Sequence, residues 1–271
     1  MSTAPLFLVD AVPDAGAGYV LDGPEGRHAA TVKRLRPGEV VLLTDGQGAL
    51  AHAMVQATDR DRVDLLLTRR STLPAPAPRM LLAQALVKGD RGELAVELAT
   101  EAGVDGVLPW RAARCVARWD TGPRGDKALE RWRATVRAAA KQARRPWVPV
   151  VEEPVTIAQL ARRIGSVAGA LVLHEGATDG LVELATDGGL PDRGDLLLVV
   201  GPEGGITDVE VAELVAAGAR AVRLGAEVLR ASTAGAVALG ALGALTGRWA
   251  LRPPAVAADR PDPASAVTAT G

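Results

Sequence analysis

The sequence predicts a two-part chain: a small β-rich unit, then a larger α/β unit built on a mainly parallel sheet. Three observations predict it. Up to about residue 72, short apolar runs are closely punctuated by turn residues. Prolines at 74, 76 and 78 then forbid helix and discourage a central strand. Beyond them the rhythm becomes strand, helix, strand, which implies a sheet covered on both faces.

In the first unit, residues 39–44 form an apolar run that ends at Asp45-Gly46, and residues 62–67 form another. Closely spaced strands of this kind suggest a small barrel, with residues 26–35 as its one helix. The unit is placed at residues 1–72, and residues 73–79 read as a stiff Pro-rich linker. The second unit, residues 80–252, opens with a buried strand at 80–87. A helix at 90–102 follows, with Leu94, Ala95, Leu98, Ala99 and Ala102 on its apolar face and Gly103 as its stop. A strand at 104–108 leads to a long helix at 126–144. One face of that helix holds Leu129, Trp132, Val136, Ala140 and Ala143, and a second stripe holds Arg133, Arg137, Lys141 and Arg144. Further strands are expected at 170–173, 196–200 and 221–224, each alternating with helices. Residues 253–271, rich in Pro, Ala and Asp, read as a disordered tail.

Composition narrows the function. Of 271 residues, 48% are hydrophobic but only 3% aromatic, so Val, Leu and Ala must fill the core. Base stacking on aromatic platforms is therefore not expected to be the main binding device. The single cysteine, Cys115, excludes an internal disulfide framework, fits a reducing cytoplasm and reads as a small buried filler. Histidines at 28, 52 and 174 show no ligand spacing, so no metal site is expected. The first ten residues lack signal-peptide features, and no run of 18 uncharged apolar residues occurs, so a soluble cytoplasmic protein without membrane attachment is expected. The net charge is -1, yet residues 111–145 hold eleven Lys/Arg against Asp120, Asp126 and Glu130. A balanced total that hides a basic block fits a protein meeting a polyanion with one face.

The chemistry-bearing residues lie late in the chain. Residues 196–210 run from a buried strand through Gly201-Pro202-Glu203-Gly204-Gly205 into a helix opened by a Thr207/Glu210 capping box. Glycines let backbone approach a ligand closely, and the carboxyl end of a strand is where open α/β sheets bind ligands. The bland alternative is a simple strand-to-helix turn. Neither a P-loop nor a dinucleotide fingerprint is present. A second loop, Leu224-Gly225-Ala226-Glu227-Val228-Leu229-Arg230, leads into a helix of small residues that Ser232 or Thr233 can cap. Arg230, set in an apolar hinge beside a helix N-terminus, invites an anionic or electron-rich partner. A solvated arginine is the alternative.

Taken in this order, the two loops resemble the C-terminal signature of the RsmE family, in the SPOUT class of methyltransferases. The likeness continues through Leu173-His174-Glu175, Lys88-Gly89-Asp90, Glu101-Ala102-Gly103-Val104, Gln142-x-x-Arg145 and Val148-Pro149. Near the start it includes His28-x-x-x-Val32-x-Arg34-x-x-Pro37-Gly38 and Asp45-Gly46. It spans roughly residues 6–250 and is specific in its combination of motifs. The chain departs at Ala226-Glu227, where many relatives carry Pro-Arg, and at Ala231-Ser232, where they carry Thr-Glu.

The resemblance implies a PUA-like β-barrel followed by a SPOUT α/β domain with a C-terminal trefoil knot. It implies S-adenosylmethionine as cofactor and N3 of a U1498-type uridine in the decoding region of 16S rRNA as target, within the 30S subunit. It also implies a homodimer formed through the knot region. Carried onto this sequence, the cofactor residues are Leu173, His174, Glu175, Gly201, Pro202, Glu203, Gly204, Gly205, Leu224, Gly225, Val228, Leu229, Arg230, Thr233 and Ala234. Arg230 is the candidate for stabilising charge on the uracil oxygens, and no histidine or carboxylate stands out as proton acceptor. RNA contacts are assigned to Arg27, His28, Lys33, Arg34 and Lys88, and to Arg137, Lys141, Arg144 and Arg145 on the basic helix. His174 reads as structural. The rival classes are a nicotinamide- or nucleotide-dependent enzyme and a catalytically silent RNA-binding module.

Overall fold

The computed structural model describes residues 4–250. The tail expected at 253–271 lies outside the described residues. Two sheets organise the chain, one of five strands and one of six.

The first sheet has the order β1-β3-β4-β5-β2, from Leu6–Leu8 (β1), Gly18–Leu21 (β2), Val40–Thr44 (β3), Ala49–Thr58 (β4) and Val63–Thr72 (β5). Strict alternation sets its inner face: Ala49, Ala51, Ala53 and Val55 of β4, with Val63, Leu65 and Leu67 of β5, point inward. Register shifts at His52/Ala53 and Val55/Ala57 curl the long β4–β5 hairpin. The edge strands β1 and β2 do not pair with each other, so the small barrel expected takes the form of a curled half-barrel. A helical segment packs against the core of this sheet. That segment is α1 (Gly23–Arg27), continued by a π-helical turn at His28–Val32, three residues earlier than the sequence suggests. Ala29 and Leu35 join Phe7, Leu43 and Val41 in the core beneath it.

The second sheet is parallel throughout, in the order β11-β9-β10-β6-β7-β8. Its strands are Arg79–Ala85 (β6), Gly106–Trp110 (β7), Val150–Val151 (β8), Gly169–Leu173 (β9), Asp195–Val200 (β10) and Arg220–Val222 (β11). Central strands are buried on both faces, which is why β6 and β10 read as unbroken apolar runs. Met80, Leu82, Leu196 and Leu198 pack with helices α2 (Arg91–Glu101), α3 (Pro123–Gln142), α5 (Leu181–Thr186) and α7 (Ala231–Leu245) on one side. Leu81, Ala83, Leu197 and Val199 face α4 (Ile157–Ile164) and α6 (Asp208–Ala216) on the other. The long basic helix starts at Pro123, earlier than expected, because Gly122 takes φ 113 and the proline sits in the first turn. It ends at Gln142, where Arg144 takes the left-handed conformation with φ 53.

The two sheets are fastened together. Gly48 N–H donates to the Pro146 carbonyl at 2.9 Å, Val148 N–H to Gly46 at 2.9 Å, and Gln47 and Trp147 form an antiparallel bridge. Gly48 needs to be glycine: its φ is 101, and a Cβ there would sit 2.5 Å from the Trp147 ring. Lys141 of α3 bonds both carboxylate oxygens of Glu25 in α1, at 2.7 and 2.8 Å.

A further junction lies at the start of β7. Asp105, 8% exposed, accepts from the Met80 amide at 2.9 Å and from Arg145 at 3.0 Å, and it also pairs with Arg248. Arg145 additionally donates to the Thr100 carbonyl, and Arg248 to those of Pro78 and Gly103. One carboxylate thus ties together the ends of α3 and α7, the α2–β7 turn and the entry to β6.

Candidate active site

The loops that follow β9, β10 and β11 meet at the carboxyl edge of the second sheet. They enclose a cleft of about 610 Å³, a size typical of small-molecule sites. Each loop is pinned by its own sequence. After β9, His174 N–H donates to Val222 at 3.1 Å, and the ring Nδ1 accepts from Gly176 N–H at 3.2 Å. The imidazole therefore both shapes its loop and lines the cleft.

The end of β10 is fixed from β7, across the intervening β6, where Trp110 Nε1 donates to the Val200 carbonyl at 2.9 Å. Gly205 then closes a turn onto Pro202 with φ 75. A Cβ on Gly201 would meet Ile206 Cγ1 at 2.7 Å, so that position has no room for a side chain. The capping box expected at α6 is present: Thr207 Oγ1 accepts from Glu210 N–H, and Glu210 Oε2 accepts from Thr207 N–H at 2.9 Å. The other Glu210 oxygen accepts from Ala113 N–H at 2.7 Å, which draws the β7–α3 loop onto the glycine loop. Arg114 strengthens that contact by donating to the Gly204 carbonyl at 2.9 Å. Glu203 accepts from the Lys88 amide at 3.1 Å.

After β11, Arg223 pairs with the β9 loop: its N–H donates to Asp179, and its carbonyl accepts from Leu181. The helix that follows is capped differently from expectation. Arg230 is the N-cap residue, and neither Ser232 nor Thr233 supplies a side-chain cap. The Thr233 hydroxyl instead donates back to the Arg230 carbonyl at 3.2 Å, while Ser232 is buried at the cleft wall.

Of the candidate cofactor residues, Leu173, His174, Glu175, Gly201 to Gly205, Leu224, Val228, Leu229, Arg230 and Ala234 line the cleft. Gly225 and Thr233 are outside its lining. The sequence reading missed Arg91, Arg114, Arg223 and Asp208, which also line it. Arg91 and Arg114 come from distant elements, and no local pattern marks their approach. The cleft carries four guanidinium groups (Arg91, Arg114, Arg223, Arg230) and four carboxylates (Glu175, Glu203, Asp208, Glu227) around apolar walls of Leu173, Val200, Leu224 and Leu229.

The candidate RNA residues divide. Arg27, Lys33, Arg34, Lys88, Arg137 and Arg144 are exposed. Arg34 and Arg144 are also the non-glycine residues with positive φ, both 53, among the described residues. Two assignments are corrected. Arg145 is largely buried against Asp105, and burial lowers its pKa while Asp105 opposes that shift. Lys141 is committed to Glu25 and lies 5.8 Å from the Phe7 ring centroid. Both hold the fold together instead of facing solvent.

His28 sits edge-on to Phe7, and burial first, then the charges of Lys141 and Lys33, hold its pKa below the usual 6.5. This shift favours the neutral imidazole. An NMR titration of His28 should give a midpoint under 6.5. The stability tied to this group is constant above that value and falls as pH drops through the window beneath it, because the unfolded chain binds the proton first. A midpoint at or above the ordinary value contradicts this environment. Cys115 is half-buried, not fully buried as expected, and burial raises its pKa.

Among the described residues, no helix is long and apolar enough to cross a membrane.

Comparison with known proteins agrees with this geometry. Residues 74–243 match the family model of an RNA methyltransferase domain, and residues 21–68 match that of an RNA methyltransferase PUA domain. The chain is 52% identical over 250 residues to the ribosomal RNA small subunit methyltransferase E of Mycobacterium bovis, covering 91% of this chain and 94% of that protein. The Bacillus subtilis protein of the same name is 30% identical over 83% of this chain and 89% of its own. Among solved structures, the Neisseria gonorrhoeae ribosomal RNA small subunit methyltransferase E bound to S-adenosyl methionine superimposes with a TM-score of 0.77. It is 27% identical over 90% of this chain and 98% of that one.

Proposed function

Since the chain belongs to the ribosomal RNA small subunit methyltransferase E family, we propose that it methylates N3 of one uridine in the decoding region of 16S rRNA. At the coarser level it is an S-adenosylmethionine-dependent rRNA methyltransferase. The observation that carries the finer reading is the single cleft assembled from three sheet-to-helix loops, with Arg230 at its rim.

The cleft residues fit the cofactor. Leu173, Val200, Leu224 and Leu229 offer apolar walls for an adenine, and Gly201, Gly204 and Gly205 of the 201–205 loop offer backbone groups at close range. The carboxylates of Glu175, Glu203 and Glu227 suit a positive sulfur. When bound, S-adenosylmethionine supplies an electrophilic methyl group. The protein's own part is mostly positioning, which can lower a barrier by on the order of 7–11 kcal/mol. Arg230 faces the charge that builds on the uracil oxygens as the N3 proton leaves to water. Arg27, Lys33, Arg34, Lys88, Arg137 and Arg144 hold phosphates and place the RNA, while the cleft admits a base swung out of its stack.

Three further readings accompany this one. The chain from β9 to α7 is threaded as a trefoil knot, supported by the pairing of Arg223 with the β9 loop and by α7 packing back on β6 and β10. Two copies associate through that region, supported by exposed Val209, Val237 and Leu245 on α6 and α7. The protein works in the cytoplasm, where its substrate is.

The deciding experiment offers purified protein and S-adenosylmethionine to 30S subunits lacking the modification, and to naked 16S rRNA. Mass spectrometry of nuclease fragments should locate one new methyl group on N3 of a decoding-region uridine. Transfer to another base or atom, or no transfer to either substrate, overturns the proposal.

A further inference from the structure

A second cavity, of about 460 Å³, lies in the long loop between β7 and α3 and has no part in the reading above. Its wall includes Arg111, Cys115, Arg118, Trp119, Asp120 and Thr121. Trp119 is braced edge-to-face on the buried Trp132, with ring centroids 4.9 Å apart and planes at 80°. Arg111 donates to the Trp119 backbone carbonyl at 3.0 Å, which ties the two ends of this loop segment together. Arg118 is exposed, with no ion-pair or hydrogen-bond partner among the described residues. The polar lining thus holds two guanidiniums against one carboxylate, beside a rigid aromatic ring.

This cavity adjoins the methyl-transfer cleft. Arg114 lines the first cleft, while Ala113 and Cys115 on either side of it line the second. The same short segment is bonded to the glycine loop, through Ala113 to Glu210 and through Arg114 to Gly204.

Resting on the RNA-methyltransferase reading, we infer that the β7–α3 cavity is a subsite for a second, unpaired nucleotide of the substrate RNA, flanking the one that is methylated. Trp119 offers a face to the base, and Arg111 and Arg118 offer charge to its phosphate. Single-stranded nucleic acid is held by this pairing of aromatic ring and guanidinium in many unrelated proteins. The low aromatic content of the chain points away from stacking in general, and Trp119 is a local exception to it.

Cys115 gives a direct test, because it is the sole cysteine of the chain and lines the cavity. The rate of its alkylation by a maleimide is followed by mass spectrometry of the Cys115 peptide, at mildly alkaline pH because burial raises the thiol pKa. Unmethylated 30S subunits should slow labelling by about tenfold or more, whereas S-adenosylmethionine alone should leave it unchanged. In parallel, Arg118→Ala should raise KM for the subunits by about tenfold, lower kcat far less, and reduce the salt dependence of binding by roughly one phosphate contact. Labelling indifferent to subunits, or an Arg118→Ala KM equal to that of the unmodified protein, overturns the inference. So does a cavity that closes with rising protein concentration in the absence of RNA, since a second copy would then occupy it. These failures are distinct from failure of the underlying reading, in which the unmodified protein itself transfers no methyl group.

Discussion

Arg230→Ala is expected to lower kcat by about 10²- to 10³-fold, the usual effect of removing one charge-stabilising donor from a preorganised site. The Arg230 backbone is fixed independently of its side chain, because its carbonyl accepts from Thr233 and Ala234 amides at 3.0 and 2.9 Å. Its guanidinium has no ion-pair partner among the described residues and lines the cleft. Removing the side chain therefore leaves loop and helix in place and deletes a charge from the cleft in which the proposed reaction would set the base. Binding of S-adenosylmethionine, read by calorimetry, and of subunits, read by filter retention, should change far less than kcat. Arg230→Lys should recover part of the loss, since a lysine supplies the charge without the planar fork. A turnover number that stays normal in the alanine variant removes Arg230 from the mechanism.

Asp105→Ala carries the largest expected loss of stability, roughly 3–5 kcal/mol, because it strands two arginines whose partner it was. Arg145 and Arg248 keep only 12% and 10% of their side chains exposed, so water cannot easily replace the lost carboxylate. The Met80 amide also loses its acceptor. The melting temperature should drop by on the order of 10 °C. Arg137→Ala, an exposed change on α3, should stay within about 0.5 kcal/mol and serves as the control. Equal melting of the two variants contradicts the assigned role. The cluster joins four separate chain segments, so its loss should also loosen α7, the helix that begins at the cleft.

What the sequence discloses depends on how local the cause is. The unbroken apolar run of β6 marks a strand buried on both faces, with Met80 and Leu82 toward one helical layer and Leu81 and Ala83 toward the other. The Thr207/Glu210 capping box is local as well, and so is the glycine loop. Long-range pairing is not. Lys141 looks like one more charge on a basic stripe until Glu25, 116 residues away, claims it. Arg145 is hidden in the same way by Asp105, 40 residues off. Arg91 and Arg114 reach the cleft only because the sheet order puts β6 beside β10 and β7 just beyond β6. Capping of α7 escaped for a different reason. Ser232 has the chemistry of a cap, yet it sits one residue inside the helix and is buried, so Arg230 takes that place.

The clasp of Gly48 on Trp147 has a consequence for substrate choice. On the proposed function, locking the half-barrel to the residues after α3 ties the arginines read as phosphate contacts to the methylation pocket, and the molecule would work as a caliper. An RNA satisfies both ends only if its own folding sets a backbone segment and an unstacked base at that span. Selectivity of this kind would read three-dimensional shape, so the proposed function predicts faster transfer to assembled subunits than to naked rRNA.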